Sequence, residues 1–167
     1  MNLPPTDFEL LGKAVGYAAR AHCDEKRDDG TPYVAHPFRM CLTLMHLFRI
    51  DDAPTLAAAL LHDVIEHAGI DYDDLHAEFG DEVADLVAAM TKNLRLPKPD
   101  REAEFGERLL KGSWKLKAIK LADAYDNLDK GKKGAVLEAE RVLTCTGEEH
   151  RLKPAVERLR ELMERNR

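Results

Sequence analysis

Apolar positions recur along this chain at the spacing of a single helix face, and no run alternates apolar and polar residues as a half-buried strand does. The pattern predicts an all-α fold. Phe8, Leu11, Ala14, Val15 and Ala18 form the stripe of a first helix, capped at Thr6-Asp7 and ending near His22 or Asp24. A charged loop, CDEKRDDGTPYVAHP, comes next, with turns at Gly30 and Pro32. Pro37 suits a first helical turn and opens a helix to about Phe48. Asp51-Asp52-Ala53-Pro54 starts the next helix, which runs through LAAALLHDVIEH to near Gly69. Residues 71–79 read as a short helix with an acidic first turn; Gly80 breaks it, and Asp81 caps another through Met90. LRLPKPD reads as a linker. Helices over about 101–110 and 114–128 come after it, the second closed by Gly131 and Gly134. The remainder, 135–167, predicts two charged helices split by CTGEEH and packed on the outside.

Composition narrows the functions open to such a bundle. The 167 residues fit one domain, 1–167, with its core over about 8–131 and C-terminal helices over about 135–166. Net charge is −6, which leaves no broad basic face for a nucleic-acid polymer. An anionic ligand must then be held by a few local cations or by a metal, which favours a small-molecule substrate. Cys23, Cys41 and Cys145 match neither a zinc knuckle nor a C-x-x-C pair, read as packing residues and suit a reducing cytosol. No run is long and apolar enough for a membrane span, and MNLPPTDFELLGKAV lacks the basic start and apolar run of a signal peptide. The expectation is a cytoplasmic protein that touches no membrane; the sequence leaves a homo-oligomer open.

The helix carrying LAAALLHDVIEH holds the chemistry. On a wheel, Leu56, Ala57, Leu60, Leu61, Val64 and Ile65 cover about half the surface. His62, Asp63 and Glu66 share an arc of roughly 100° on the other side, with Ala59 leaving room beside them. Ionisable groups on so apolar a helix need partners, and a divalent metal is one. Imidazole and carboxylate suit Mn, Fe or Zn. The plainer reading is a solvated polar face with an ordinary ion pair.

The flanking sequence bears on that choice. LAAALLHDVIEHAG resembles the core motif of the HD-domain superfamily of metal-dependent phosphohydrolases. More closely, the chain is similar to the hydrolase domain of the RelA/SpoT group and its small stand-alone relatives, which remove the 3′-pyrophosphate from guanosine tetra- and pentaphosphate. AARAH, GTPYVAHP, AALLHDVIE, FGDEVADLVAAMTK and IKLADAYDN match in order, over about residues 10–130. The resemblance implies a compact multi-helix fold with the metal site between helices. It implies Mn²⁺ as cofactor, with Zn²⁺ or Fe²⁺ compatible with the same ligands, and His36, His62, Asp63 and Asp123 as ligands. Of the family's Glu-Asp pair serving the catalytic step, Glu66 matches the Glu, and His67 stands where the Asp would be. Glu66 would orient or deprotonate a water. His67 would donate a proton or contact phosphate.

The substrate end departs further from the family. Arg27 matches the first residue of a basic pair that contacts guanine, and an Arg can stack on a purine. Asp28 stands at the second basic position and Asp29 at the one after it. Lys26 and Asp29 read as solvated. After Asp123 the family's Arg-Leu-His-Asn run becomes Ala124-Tyr125-Asp126-Asn127, so Asn127 matches a substrate-contacting Asn. Lys120, Asp123 and Asn127 share one helix face, opposite Trp114, Ala118, Leu121, Tyr125 and Leu128. Lys120 reads as a phosphate contact or a surface salt bridge, Asp126 as an extra metal ligand or a solvated group, and Thr91-Lys92 as a structural helix end. His22 reads as an outer partner of the site; His46, His76 and His150 read as surface or packing residues. The expected function is metal-dependent hydrolysis of a nucleotide polyphosphate. The same fold with an adenosine-type or other nucleotide substrate, and a non-catalytic nucleotide-binding module, stay open.

Overall fold

The computed structural model describes residues 5–166. The absence of a leader was read partly from residues 1–4, which lie outside the described residues. The chain's most apolar helix, α3 (Ala53–Leu61), forms the axis of the fold, with every residue but Pro54 buried. Asp52 caps it, accepting from the backbone N–H and hydroxyl of Thr55 at 3.1 and 2.6 Å. Its alanines let α1 (Pro5–Ala21), α2 (Ala35–Leu42), α6 (Asp81–Met90) and α8 (Trp114–Asp129) pack around it. Leu56 and Leu61 are fully buried there, each contributing roughly 1.5–3 kcal/mol. Outside this ring, α5 (Tyr72–Phe79) packs on α6, and α9 (Ala135–Thr146) packs on α8 and α7 (Lys98–Lys111). Among the described residues there is no strand, only an isolated bridge between Lys26 and Pro32. No described helix is long and apolar enough to cross a membrane.

Several local expectations change. Thr6 and Asp7, expected to cap the first helix, lie within it, and Phe8 and Val15 of its apolar stripe are exposed. The helix expected to run unbroken from residue 53 to Gly69 is two: α3 stops at Leu61, and α4 (Val64–His67) starts after Asp63, whose φ and ψ are −104° and −2°. His62 and Asp63 sit at the break, so the wheel that placed them on one continuous face does not apply. The helix expected to start at Pro37 begins at Ala35. It passes into a π-turn (Thr43–Leu47) capped by Phe48, and Arg49 after it is the one non-glycine residue with positive φ (61°) among those described. The expected linker is half helix, because Lys98-Pro99 joins α7, where proline fits the first turn. The cap of α6 is Gly80 (φ 78°), and Asp81 is already helical.

The C-terminal segment does not pack only on the outside. Ala139, Val142, Leu152, Ala155 and Leu159 are at most 1% exposed. A short 3₁₀ turn at His150–Leu152 leads into α10 (Lys153–Arg165), whose apolar face closes the bundle over α8 and α9. The charge that suggested an outer layer lies on the opposite faces of both helices.

Candidate metal centre

Three elements deliver the predicted ligands to one place. Helix α2 brings His36, the break between α3 and α4 brings His62 and Asp63, and α8 brings Asp123. One ligand atom from each of His36, His62 and Asp123 lies within 4.8 Å of the others. The two imidazoles meet edge to face, with centroids 5.2 Å apart. Asp63 adjoins the cluster, its Oδ2 2.9 Å from His62 Nε2 and accepting from the Tyr33 hydroxyl at 2.5 Å.

The rings are oriented from behind. His36 Nδ1 lies 2.7 Å from Asp126 Oδ2, and His62 Nδ1 lies 3.0 Å from the Ala59 carbonyl oxygen. A carbonyl only accepts, so His62 carries a proton on Nδ1, and the carboxylate asks the same of His36. Each Nε2 then faces a carboxylate oxygen, His36 toward Asp123 Oδ1 at 3.3 Å and His62 toward Asp63 Oδ2 at 2.9 Å. Two acceptors face to face repel, so the arrangement calls for a cation: a proton on the ring or a metal between the groups. The donor set therefore fits a divalent transition metal.

The electrostatics agree. Burial alone would raise the Asp63 carboxyl, but His62 and the Tyr33 hydroxyl hold it well below the usual carboxylate range. Asp123 is likewise held low against burial, by Lys120 and the two imidazoles. Burial pulls His62 down, yet the Asp63 and Asp123 charges carry it above its ordinary value. Burial and Asp63 push the Tyr33 phenol far up, so it stays a donor. Both carboxylates are thus ionised at neutral pH, as ligands must be.

The cluster forms the floor of a cavity of about 500 Å³, also lined by Glu66, His67, Lys120 and Asn127. Glu66 is half-buried, and its Oε2 lies 3.4 Å from the Lys92 backbone N–H. His67 is exposed at the mouth, tilted against Tyr33 at 5.1 Å, and His22 is tilted against the same ring at 4.9 Å. His22 thus touches the ligand set only through Tyr33, whose hydroxyl donates to Asp63. Asn127 donates to Asp123 at 2.6 Å and accepts from Arg27 at 3.0 Å. Arg27 is drawn inward by a tight turn in which Asp29 accepts from Thr31 N–H and Oγ1, and it stands behind Asn127. Asp29 is thus a turn-forming residue and more than a solvated charge.

Two other expectations change, and several lining residues are new. Lys120 makes no surface salt bridge: it is 5% exposed and ion-paired to Asp123 at 2.8 Å and Glu138 at 2.7 Å. Asp126 is buried, gripped by Arg39 and His36, and not in solvent. Lys92, read only as a helix end, lines the cavity, as do Lys98, Lys132, Lys133, Glu138 and Arg141. The Gly-Lys-Lys-Gly run shortly after Asp123 signals a basic turn near the site; nothing in sequence signals Glu138.

Residues 14–142 match the family model described as HD domain. The chain is 36% identical over 121 residues to guanosine-3′,5′-bis(diphosphate) 3′-pyrophosphohydrolase MESH1 of Danio rerio, covering 71% of this chain and 67% of that protein. The enzyme of the same name from Drosophila melanogaster is 40% identical over 118 residues, covering 70% and 66%. A solved structure, described as a metazoan ortholog of SpoT that hydrolyzes ppGpp and plays a role in starvation responses, superposes with a TM-score of 0.86 at 27% identity, over 99% of this chain and 98% of that one. The protein lmo0812 of Listeria monocytogenes superposes with a TM-score of 0.68 at 27% identity, over 82% and 96%. The expected all-α fold holds, and the chain belongs to the HD-domain family.

Proposed function

We propose that this protein is a metal-dependent phosphohydrolase that removes the 3′-pyrophosphate from guanosine-3′,5′-bis(diphosphate), the reaction for which its relatives are named. One observation carries the reading: two pinned imidazoles and two ionised carboxylates form the floor of a cavity whose mouth holds Lys98, Lys132, Lys133 and Arg141, with Lys92 paired to Glu102 beside them. On a chain of net charge −6, that local excess of cations suits a polyphosphate. The cavity volume falls in the range of small-molecule sites.

His36, His62, Asp63 and Asp123 would hold the metal, Mn²⁺ by family resemblance. A bound divalent cation supplies Lewis acidity toward a phosphate oxygen and lowers the pKa of water. Glu66, inside the cavity, takes a proton from the attacking water. The water oxygen bonds to the phosphorus attached to the 3′-oxygen, and the bond from that phosphorus to the 3′-oxygen breaks. His67, at the mouth, returns a proton to the departing 3′-oxygen, so the products are a nucleoside 5′-diphosphate and pyrophosphate. Lys120 offsets phosphate charge beside Asp123. Asn127 contacts the ribose or phosphate, and Arg27, which stands behind it outside the cavity lining, steadies it; to meet the base Arg27 would have to leave Asn127. The reading takes 1–167 as one domain and places the protein in the cytoplasm, with a small nucleotide as its partner and a homo-oligomer open.

The test is direct. Purified protein with Mn²⁺ and this substrate should release equimolar pyrophosphate and nucleoside 5′-diphosphate on a chromatographic assay. Tight nucleotide binding with no turnover under Mn²⁺, Zn²⁺, Fe²⁺ and Co²⁺ would sink the enzymatic reading. A second reading keeps the chemistry and changes the base, because Arg27 is engaged by Asn127 and stands 4.0 Å from Asp126. Faster turnover of an adenosine-type alarmone than of the guanosine one in the same assay would select it.

A further inference from the structure

His36 and His62 dispose of their Nδ1 protons differently. His62 donates its Nδ1–H to a neutral acceptor, the carbonyl of Ala59 one turn back on its own helix. His36 donates its Nδ1–H to the Asp126 carboxylate, 2.7 Å away on α8. Asp126 is 3% exposed and has a cation behind it. Arg39 Nε reaches Oδ1 at 2.5 Å and Arg39 Nη2 reaches Oδ2 at 2.9 Å, the two-pronged grip that a guanidinium offers a carboxylate. Arg27 Nη1 adds a second positive group at 4.0 Å.

We propose that Asp126, held by Arg39, is a positioning residue of the metal centre: it fixes the His36 ring with Nδ1 protonated and Nε2 turned toward Asp123, and makes that nitrogen a stronger ligand. The inference rests on the reading of His36 as a ligand. Histidine ligands gain orientation and basicity when the distal N–H meets a carboxylate. The fold gives this pairing a particular economy. Asp123 and Asp126 lie three positions apart on α8, so one helix face supplies a ligand and the partner of another ligand. Arg39 lies three positions after His36 on α2, so the same two helices cross-link twice.

A purely architectural ion pair between α2 and α8 would hold the fold and leave metal affinity alone, and that is the contrast to measure. Mn²⁺ affinity is determined by chelator competition on the full chain and on His36→Ala, Asp126→Asn and Asp126→Leu. His36→Ala should lose the metal. Asp126→Asn keeps shape and an acceptor but loses charge, and should weaken binding about 10-fold; Asp126→Leu should weaken it about 100-fold. The ¹⁵N shifts of His36 in the Zn²⁺-loaded protein should report a protonated Nδ1 in the wild type and a mixture in Asp126→Leu. If the leucine variant does not fold, Asp126→Asn carries the test alone. Affinity within about twofold of wild type in the folded Asp126 variants, with His36→Ala losing the metal, overturns the inference and leaves the metal centre standing. A wild type that takes up no Mn²⁺, or a His36→Ala variant that binds normally, overturns the metal centre and this inference with it.

Discussion

The floor and the mouth of the cleft are built on opposite principles. On the floor, each group has two or more partners: Asp123 meets Lys120, Asn127 and His36, and Asp126 meets Arg39 and His36. At the mouth, Lys98, Lys132, Lys133 and Arg141 are exposed and sit on a helix start, a turn and a helix face. A buried, over-determined set holds geometry to a fraction of an ångström, as ligands require. An exposed set offers charge that adapts to a flexible polyphosphate and is screened by salt. The comparison suggests that the floor carries the chemistry and the mouth carries affinity.

Breaking the floor should cost most. His62→Ala or Asp63→Ala should remove bound metal and bring turnover to background, read by metal analysis and product assay. Full activity in either variant would remove the centre from the mechanism. Glu66→Gln comes next. It should retain metal and lower kcat by about 10²–10⁴, the usual contribution of a proton-transferring group. If metal is lost with it, Glu66 belongs to the ligand set instead.

The mouth should respond in the other parameter. Lys132→Ala with Lys133→Ala should raise KM about 10-fold and leave kcat nearly unchanged, as loss of uniform binding does. The wild-type KM should rise with ionic strength, and the double variant's should rise less. A fall in kcat instead would mean that the turn acts on the transition state, and the division between floor and mouth would fail.

Legibility in the sequence divides along the same line. His36, His62, Asp63 and Asp123 stood out because each sits in a short motif, and the motifs occur in order. The break between Leu61 and Val64 did not stand out, because local apolar periodicity continues through it. The bend goes with tertiary partners: the Ala59 carbonyl for His62 and Tyr33 for Asp63. Asp126 looked like a misplaced charge because its partner Arg39 lies 87 positions away in the chain. Glu138 was equally silent, since only the packing of α9 on α8 brings it to Lys120. The charged surface of α9 and α10 hid an apolar face that completes the core.

The smallest effect isolates the scaffold from both regions. Asp52 caps α3 far from the ligands and pairs with Lys115 at 2.9 Å. Burial would raise its carboxyl, but Thr55 and Lys115 hold it below the ordinary value. A carboxyl lowered in the folded state stabilises above its unfolded pKa, and that stability is lost as pH falls through the folded one. Stability should therefore decline on acidification below about pH 4, with Asp52 contributing to the slope. Asp52→Ala should cost about 1 kcal/mol at neutral pH, the usual loss for a helix cap, and should flatten the acid limb of the unfolding curve. Asp52→Asn keeps an acceptor for the Thr55 N–H, so it should recover most of the neutral-pH loss without restoring the acid dependence. Mn²⁺ affinity should be unchanged in both, because α3 is held along its length by buried leucines and alanines. A change in affinity would mean that the α3 start and the break at its far end move together, and that the floor is less independent of its scaffold than its local hydrogen bonds imply.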